Sequence, residues 1–382
     1  MLPCQRHLFD IPDDVAYLNC AYMSPLMKSA QEAGIGGLTR KAHPWEITPD
    51  KFFTGPEEFR VTASQLIDAS PDDIAIVPSA SYGIAAAARN LPIEKNQSIL
   101  VLAEQFPSNY YPWQRRAEAT GARLKVVAWP EDHDWTTAVL DSLTDDVAIA
   151  ALPNVQWTSG GRLDLIRIGA ACRKIGAALA LDLTQSLGAL PFSVEDVQPD
   201  FAAAASYKWL LGPYSVGLLY VAKKWQNGMP LEENWIQRAN ARDFSSLILY
   251  VEDYDAGARR FDMGERSNFA LLPAAVRAMK QLLEWKVEQV SETSGALNNQ
   301  LAKAAADVGF HAPSEPFRAP HYLALRRKNA FPRELPEILA TEKVFVSVRG
   351  SSIRVTPHVY NTSEDCERLI ACLRRIATTT TL

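Results

Sequence analysis

Two polar interruptions of apolar runs offer chemistry in this chain of 382 residues. The run from Ala177 to Leu181 stops at Asp182, with Gln185 just beyond, and the run from Phe201 to Ala205 stops at Ser206-Tyr207-Lys208. Short apolar runs of this length predict buried parallel strands. In open α/β sheets, ligands collect outside the carboxyl ends of such strands. An acid and a lysine are therefore expected at one crevice. An amine there can condense with an aldehyde, and a carboxylate can hold a pyridine nitrogen protonated, which is the protein's share of pyridoxal phosphate chemistry. Taken singly, Lys208 reads as a solvated strand-end lysine and Asp182 as a cap or turn residue. Their order, each at the end of a strand, outweighs that account.

A phosphorylated cofactor needs an anion site. Ser79-Ala80-Ser81 falls between a strand and a helix, where free amides and the helix dipole favour phosphate; simple helix capping by Ser79 fits the same pattern. Phe106 follows a strand ending at Ala103 and could stack on a flat ring or pack in the core. Gln156 follows a strand ending at Leu152. Arg354, on a late strand, has the planar fork that binds both oxygens of a carboxylate. A surface ion pair is the bland alternative, and the nearby Arg349 fits that description.

The patterns D-x-x-Q-S-x-G from Asp182 and D-F-x-x-x-x-S-Y-K-W-L-x-G-P from Asp200 resemble the fold-type I, class V aminotransferase family, which includes cysteine desulfurases, kynureninases and isopenicillin N epimerase-like enzymes. The resemblance implies pyridoxal 5′-phosphate as cofactor, Lys208 as the imine-forming lysine, Asp182 as partner of the ring nitrogen and Gln185 as neighbour of the ring hydroxyl. It places Ala80, Ser81, Ser206 and Tyr207 around the cofactor, chiefly at its phosphate, and Phe106 over its ring. The family's usual G-T-T turn reads S-A-S here, so Ala80 offers only its amide. Gln156, in N-V-Q-W, is implied at the cofactor hydroxyl or the substrate.

The same resemblance assigns the substrate carboxylate to Arg354, because the downstream Tyr360-Asn361-Thr362 sets the register. It brings Asn19, in the Y-L-N segment near the start, towards the substrate. Phe261 to Asn268 corresponds to a segment that reaches the neighbouring subunit's phosphate. A homodimer with residues 264–268 near the partner's phosphate site is therefore implied. Glu265 is a poor phosphate ligand, so Arg266 or Ser267 takes that role, or the segment only caps the next helix.

What the resemblance implies is action at Cα of an amino acid through a Lys208 aldimine and a quinonoid, as an aminotransferase or epimerase-like enzyme. The alternatives are a carbon–sulfur or β-eliminating lyase, a kynureninase-like hydrolase, and a regulatory protein that binds the cofactor without turnover. Desulfurases carry a nucleophilic cysteine just before the carboxylate arginine. None lies between Phe345 and Arg354, and Cys366 and Cys372 fall in the last helix.

The positioning elements follow from period and length. Strands are expected at Ile74–Val77, Ser98–Ala103, Leu124–Ala128 and Val147–Leu152, alternating with helices at Ser79–Ala88, Tyr111–Ala119, Trp135–Leu143 and Leu163–Ile175. That alternation implies right-handed crossovers and a mostly parallel, seven-stranded-type α/β sheet covered by helices. Helices are also expected over residues 24–41 and 56–68, and after a loop-rich stretch over residues 268–287, 291–308 and 363–376. Strands at Tyr322–Leu325, Val344–Val348 and Ser352–Val355 complete a smaller α+β C-terminal domain. The expected division is a large domain over residues 15–254 and a small one over residues 255–382, joined by the N-terminal residues 1–14.

Composition is that of a globular protein, 47% apolar and 22% charged, with a net charge of −5 spread along the chain. No basic tract argues for nucleic acid, and no apolar run approaches membrane-spanning length. Five scattered cysteines without a C-x-x-C pair indicate neither a disulfide framework nor a zinc site. With no signal-peptide pattern at the start, a reducing cytoplasm is the expected setting.

Overall fold

A computed structural model describes residues 1–379. Its centre is a seven-stranded sheet built from β2 (Ile74–Val77), β3 (Ser98–Leu102), β4 (Arg123–Val127), β5 (Val147–Pro153), β6 (Ala178–Asp182), β7 (Phe201–Ala205) and β8 (Gly217–Val221). A short strand β1 (Ala16–Tyr17) precedes them. The spatial order is β2-β8-β7-β6-β5-β3-β4, with only β8 antiparallel to its neighbours. This is the expected mostly parallel sheet. Strands β2, β3, β7 and β8 are buried at every residue, as strands covered on both faces are.

Helices cover both faces. One face carries α3 (Ala80–Asn90) and α4 (Tyr111–Thr120), whose Ile84, Ala87, Trp113 and Ala117 pack on Val101, Ala151 and Ala203. The other carries α1 (Lys28–Arg40), α2 (Lys51–Gln65), α5 (Trp135–Ser142), α6 (Leu165–Ile175) and, later, α8 (Leu271–Trp285). The four-residue α7 (Val194–Val197) links β6 to β7. One face of α6 buries Leu165, Ile168 and Cys172, and one stripe of α8 buries Leu272, Val276 and Met279 against α1 and α2.

A second core lies among α9 (Val287–Ala306), α10 (Leu335–Thr341), α11 (Ser363–Thr379) and a small antiparallel sheet in the order β11-β12-β9. These strands are β9 (Leu323–Leu325), β11 (Ser347–Arg349) and β12 (Ser352–Val355). The expected single strand Val344–Val348 is two: β10 (Val344–Phe345) pairs with β1 in a separate ladder, and β11 turns to meet β12. The N-terminal strand thus belongs structurally with the small sheet, and Leu18 and Ala16 enter its core. A capping box forms at Thr362. Asp365 N–H donates to Thr362 Oγ1 at 3.4 Å, and the Asp365 carboxylate accepts from Thr362 N–H at 3.2 Å.

Two helix starts differ from expectation. The α1 helix begins at Lys28 rather than residue 24, because Ser24 N–H donates to the Tyr207 carbonyl at 3.0 Å and holds that segment extended. The α2 helix begins at Lys51, taking Pro56 into its second turn rather than at its start.

One glycine controls how closely the lysine loop packs. Gly188 has φ of 99°, and a Cβ there would stand 2.3 Å from the Trp209 carbonyl oxygen. Gly188→Ala is expected to cost about 2–4 kcal/mol through both strain and displacement of the loop. Urea unfolding checks this, and an unchanged midpoint would refute it.

Candidate active site

Every parallel strand that ends near β6 and β7 delivers a side chain to one crevice. Asp182 is the last residue of β6, Lys208 follows β7 by three residues, and Ala80 opens α3 directly after β2. Phe106 follows β3, and Gln156 and Trp157 follow β5. Together with Ser81, Gln185 and Tyr207 they line an inner cavity of about 180 Å³. This is where a parallel sheet collects ligands.

The chemistry of the two ionisable groups is set by burial. Lys208 is only 6% exposed, and burial, opposed by the charge of Asp182 and aided by that of Arg354, pulls its ammonium down to about 8. Its Nζ stands 5.5 Å from the Phe106 ring centroid and 5.4 Å from that of Tyr207. Asp182 is pushed up by burial, against the Thr184 hydrogen bonds and the Lys208 charge that favour its ionised form. Thr184 N–H donates to Asp182 Oδ1 at 3.0 Å and fixes the carboxylate. A buried acid of this kind gains from a cationic partner.

The first turn of α3 forms one end of the cavity. Ser79 is its N-cap in extended conformation, its Oγ accepting from Tyr82 N–H at 3.2 Å and lying 2.8 Å from Ser81 Oγ. Capping thus consumes one amide and leaves those of Ala80 and Ser81 at the cavity wall, as a helix start does. An anion fits there. Around Lys208 the backbone is unusual: Glu104, Leu211 and Ser215 all adopt positive φ, at 53°, 54° and 67°. Such conformations cluster where surrounding structure enforces them.

Three expected contacts are engaged elsewhere. Gln156 lines the cavity, but its Oε1 accepts from the amides and hydroxyls of Thr158 and Ser159, and its Nε2 donates to the Glu104 carbonyl. Its amide shapes its own turn. Ser206 Oγ donates to the Pro213 carbonyl at 2.6 Å and closes the loop after Lys208, lining neither cavity. Asn19 Oδ1 accepts from Ser347 Oγ at 2.8 Å, and Asn19 likewise lines neither cavity; it ties the N-terminal segment to the small sheet. Gln185 lines the cavity, oriented by Trp209 Nε1 and the Ala21 carbonyl at 3.1 and 3.2 Å.

An outer cavity of about 380 Å³ adjoins the inner one and shares Phe106, Trp157, Tyr207, Lys208 and Tyr214 with it. Arg354 lines it, buried, with Nη1 donating to the Trp157 carbonyl at 3.1 Å and Nε without a partner. Arg349 lines it too and makes no ion pair among the described residues. Sequence reading also missed Trp157, Tyr22 and Tyr214 as wall residues. The available signals were their neighbours in the chain: Gln156 for Trp157, Lys208 for Tyr214 and Asn19 for Tyr22.

Within residues 264–268, Arg266 and Ser267 turn inward while Glu265 is exposed. Arg266 is fully buried and ion-paired with Asp262, which also pairs with Arg60, and Ser267 Oγ donates to the Phe52 carbonyl at 2.6 Å.

Behind Lys208 lies a buried aromatic cluster in which Trp209 meets His321 edge-on at 4.4 Å and His358 stacks on Tyr360 at 5.7 Å. Burial brings His321 down to about 4, aided by the charge of Arg162 and opposed by its hydrogen bond with the Gln185 carbonyl, and brings His358 down to about 3, aided by the charge of His321. The unfolded chain takes up these protons near pH 6.5. Stability should therefore be lost as pH falls from about 6.5 towards 4, by ~1.4 kcal/mol per unit for each histidine. His358→Phe should flatten that fall in urea midpoint, and an unaltered slope would remove the histidines from the account.

With this geometry in hand, comparison with known proteins is direct. Residues 49–369 match the family described as Aminotransferase class-V. The chain belongs to that family of pyridoxal-phosphate enzymes. It is 26% identical over 354 residues to an uncharacterized aminotransferase, YcbU, of Bacillus subtilis strain 168, covering 92% of this chain and 90% of that protein. It is 27% identical over 370 residues to a kynureninase of Bacillus cereus strain ATCC 10987 / NRS 248, covering 92% and 83%. In fold it is similar to a C-DES mutant carrying glycine covalently linked to the PLP cofactor, with a TM-score of 0.86 at 18% identity over 97% of this chain and 99% of that one. Its cofactor is pyridoxal 5′-phosphate. The α3 amides suit the phosphate, and the buried Asp182 and Lys208 suit a cationic ring nitrogen and an aldehyde.

Proposed function

We propose that the chain acts at Cα of an amino acid, as an aminotransferase or epimerase-like enzyme. The observation that supports this is the placement of Lys208, a buried amine drawn down to about 8, where the inner cavity of Asp182 meets the outer cavity of Arg354. Lys208 would carry the cofactor covalently, Asp182 would face its ring nitrogen, Ala80 and Ser81 would hold its phosphate, and Phe106 would lie on its ring. The bound cofactor supplies an electron sink for the pair left at Cα when a proton is removed.

The residues of the chain do the rest. Arg354 takes the substrate carboxylate, which fixes Cα. The Lys208 amine, once free, is the base that removes the Cα proton and the acid that returns it. A burial-lowered amine near the working pH suits both tasks. Asp182 holds positive charge opposite itself throughout. Persulfide chemistry lacks its nucleophile: among the described residues Cys20, Cys172, Cys366 and Cys372 are buried, Cys4 is exposed, and none lines either cavity.

Homodimerisation is part of the reading. Leu38, Phe52, Trp235 and Phe269 line an apolar groove beside Gly264, and an apolar surface of this kind suits a second copy. Among the described residues no helix is long and apolar enough to cross a membrane.

The deciding experiment is a screen of amino acids with the reconstituted protein, in heavy water, with and without a keto acid. Keto-acid-dependent amino transfer or Cα deuterium exchange with inversion supports the reading. Pyruvate and ammonia from cysteine-like substrates would replace it with a lyase, and loss of the kynurenine side chain with a hydrolase. No spectral response to any amino acid would leave only a binding protein.

A further inference from the structure

The outer cavity is charged in one sense only. Lys208, Arg349 and Arg354 line it, and no carboxylate does. Arg349 and Arg354 stand on facing strands of one hairpin: Ser347 pairs with Arg354 and Arg349 with Ser352. Side chains alternate along a strand, so residues 347, 349, 352 and 354 share one face, and the two arginines are diagonal neighbours at roughly 7–8 Å. Neither makes an ion pair with an acid among the described residues. Arg349 spends one Nη on the Val348 carbonyl at 2.8 Å, and Arg354 Nε has no partner. Burial and the nearby Arg354 charge disfavour the Arg349 cation as it stands.

Two unpaired guanidiniums beside a lysine repel one another, and one substrate carboxylate answers only one of them. The cofactor phosphate belongs to the α3 end of the inner cavity, whose lining contains neither arginine. An arginine held half-buried without an acid is costly unless an anion arrives. Tyr22, Trp157 and Tyr214 complete the wall of this cavity of about 380 Å³.

We infer that the outer cavity takes an amino acid with a second acidic group, Arg354 binding one carboxylate and Arg349 the other. This rests on the proposed Cα chemistry and adds the substrate class. Arg349 is then a specificity residue, separating acidic substrates such as aspartate or glutamate from their amides.

The test uses the holoenzyme and two unreactive probes, glutarate and butyrate, with binding read from tryptophan fluorescence. Glutarate should bind the wild type about 10–100-fold tighter than butyrate, the range expected for one charge-assisted pair. In Arg349→Gln that ratio should collapse towards one, and the kcat/KM ratio of glutamate to glutamine should fall by a similar factor. Arg349→Lys, which keeps a charge without the fork, should recover part of both ratios and separates lost recognition from a disturbed hairpin. Equal binding of the two probes by the wild type, or ratios unmoved in Arg349→Gln, would overturn the inference. A wild type that takes up pyridoxal phosphate and transforms neutral amino acids without acid preference defeats this inference alone. One that takes up no cofactor defeats the functional reading beneath it.

Discussion

Lys208→Ala is expected to abolish the covalent hold on pyridoxal 5′-phosphate and to lower turnover by at least about 10³-fold, the range for removing a general acid–base group. The loss should exceed any other single change because, in the proposed function, one amine would serve both attachment and proton transfer. Borohydride reduction followed by denaturation should leave the chromophore on the wild type and release it from the variant. A second sign comes from reconstitution. Because burial draws the amine down to about 8, the rate of cofactor attachment should rise with pH and level off near 8, where the neutral, nucleophilic form becomes dominant. Chromophore retained on the denatured variant, or turnover within tenfold of wild type, would sink the assignment.

Asp182→Asn should leave the cofactor attached but cut turnover by about 10²–10³-fold. The amide keeps the shape and a hydrogen-bond partner for Thr184 N–H, which now donates at 3.0 Å, but it carries no charge. Burial pushes the Asp182 acid up, and a cationic partner opposite it favours the ionised form. The variant should therefore hold the chromophore and lose chiefly kcat. Cofactor loss in step with activity would instead give Asp182 a purely structural part.

Most of the sheet was legible because its strands are short, apolar and separated by helices of ordinary length. Asp182 and Lys208 stood out because an apolar core does not choose them at strand ends. The turn Ser79-Ala80-Ser81 was legible as a helix start for the same reason of local pattern. What stayed hidden depended on partners distant in the chain. Nothing local shows that the Gln156 amide is spent on Thr158 and Ser159, or that Asn19 answers to Ser347 across more than three hundred residues. Arg349 read as a surface residue because the hairpin register, not the local sequence, turns it towards Arg354. The split of Val344–Val348 followed from pairing with the N-terminal strand, which a two-residue strand barely announces.

The strap from Ala16 to Ser24 joins two places that are otherwise separate. At one end it pairs with Val344 and Phe345 and bridges Asn19 to Thr356; at the other, Ser24 holds the carbonyl of Tyr207 through both its amide and its hydroxyl. Tyr22 and Met23, between those anchors, form part of the outer wall. Any swing of the C-terminal sheet must be absorbed within those few residues or pulled straight through to the peptide preceding the reactive amine. The outer wall and the seat of Lys208 therefore share one short length of chain.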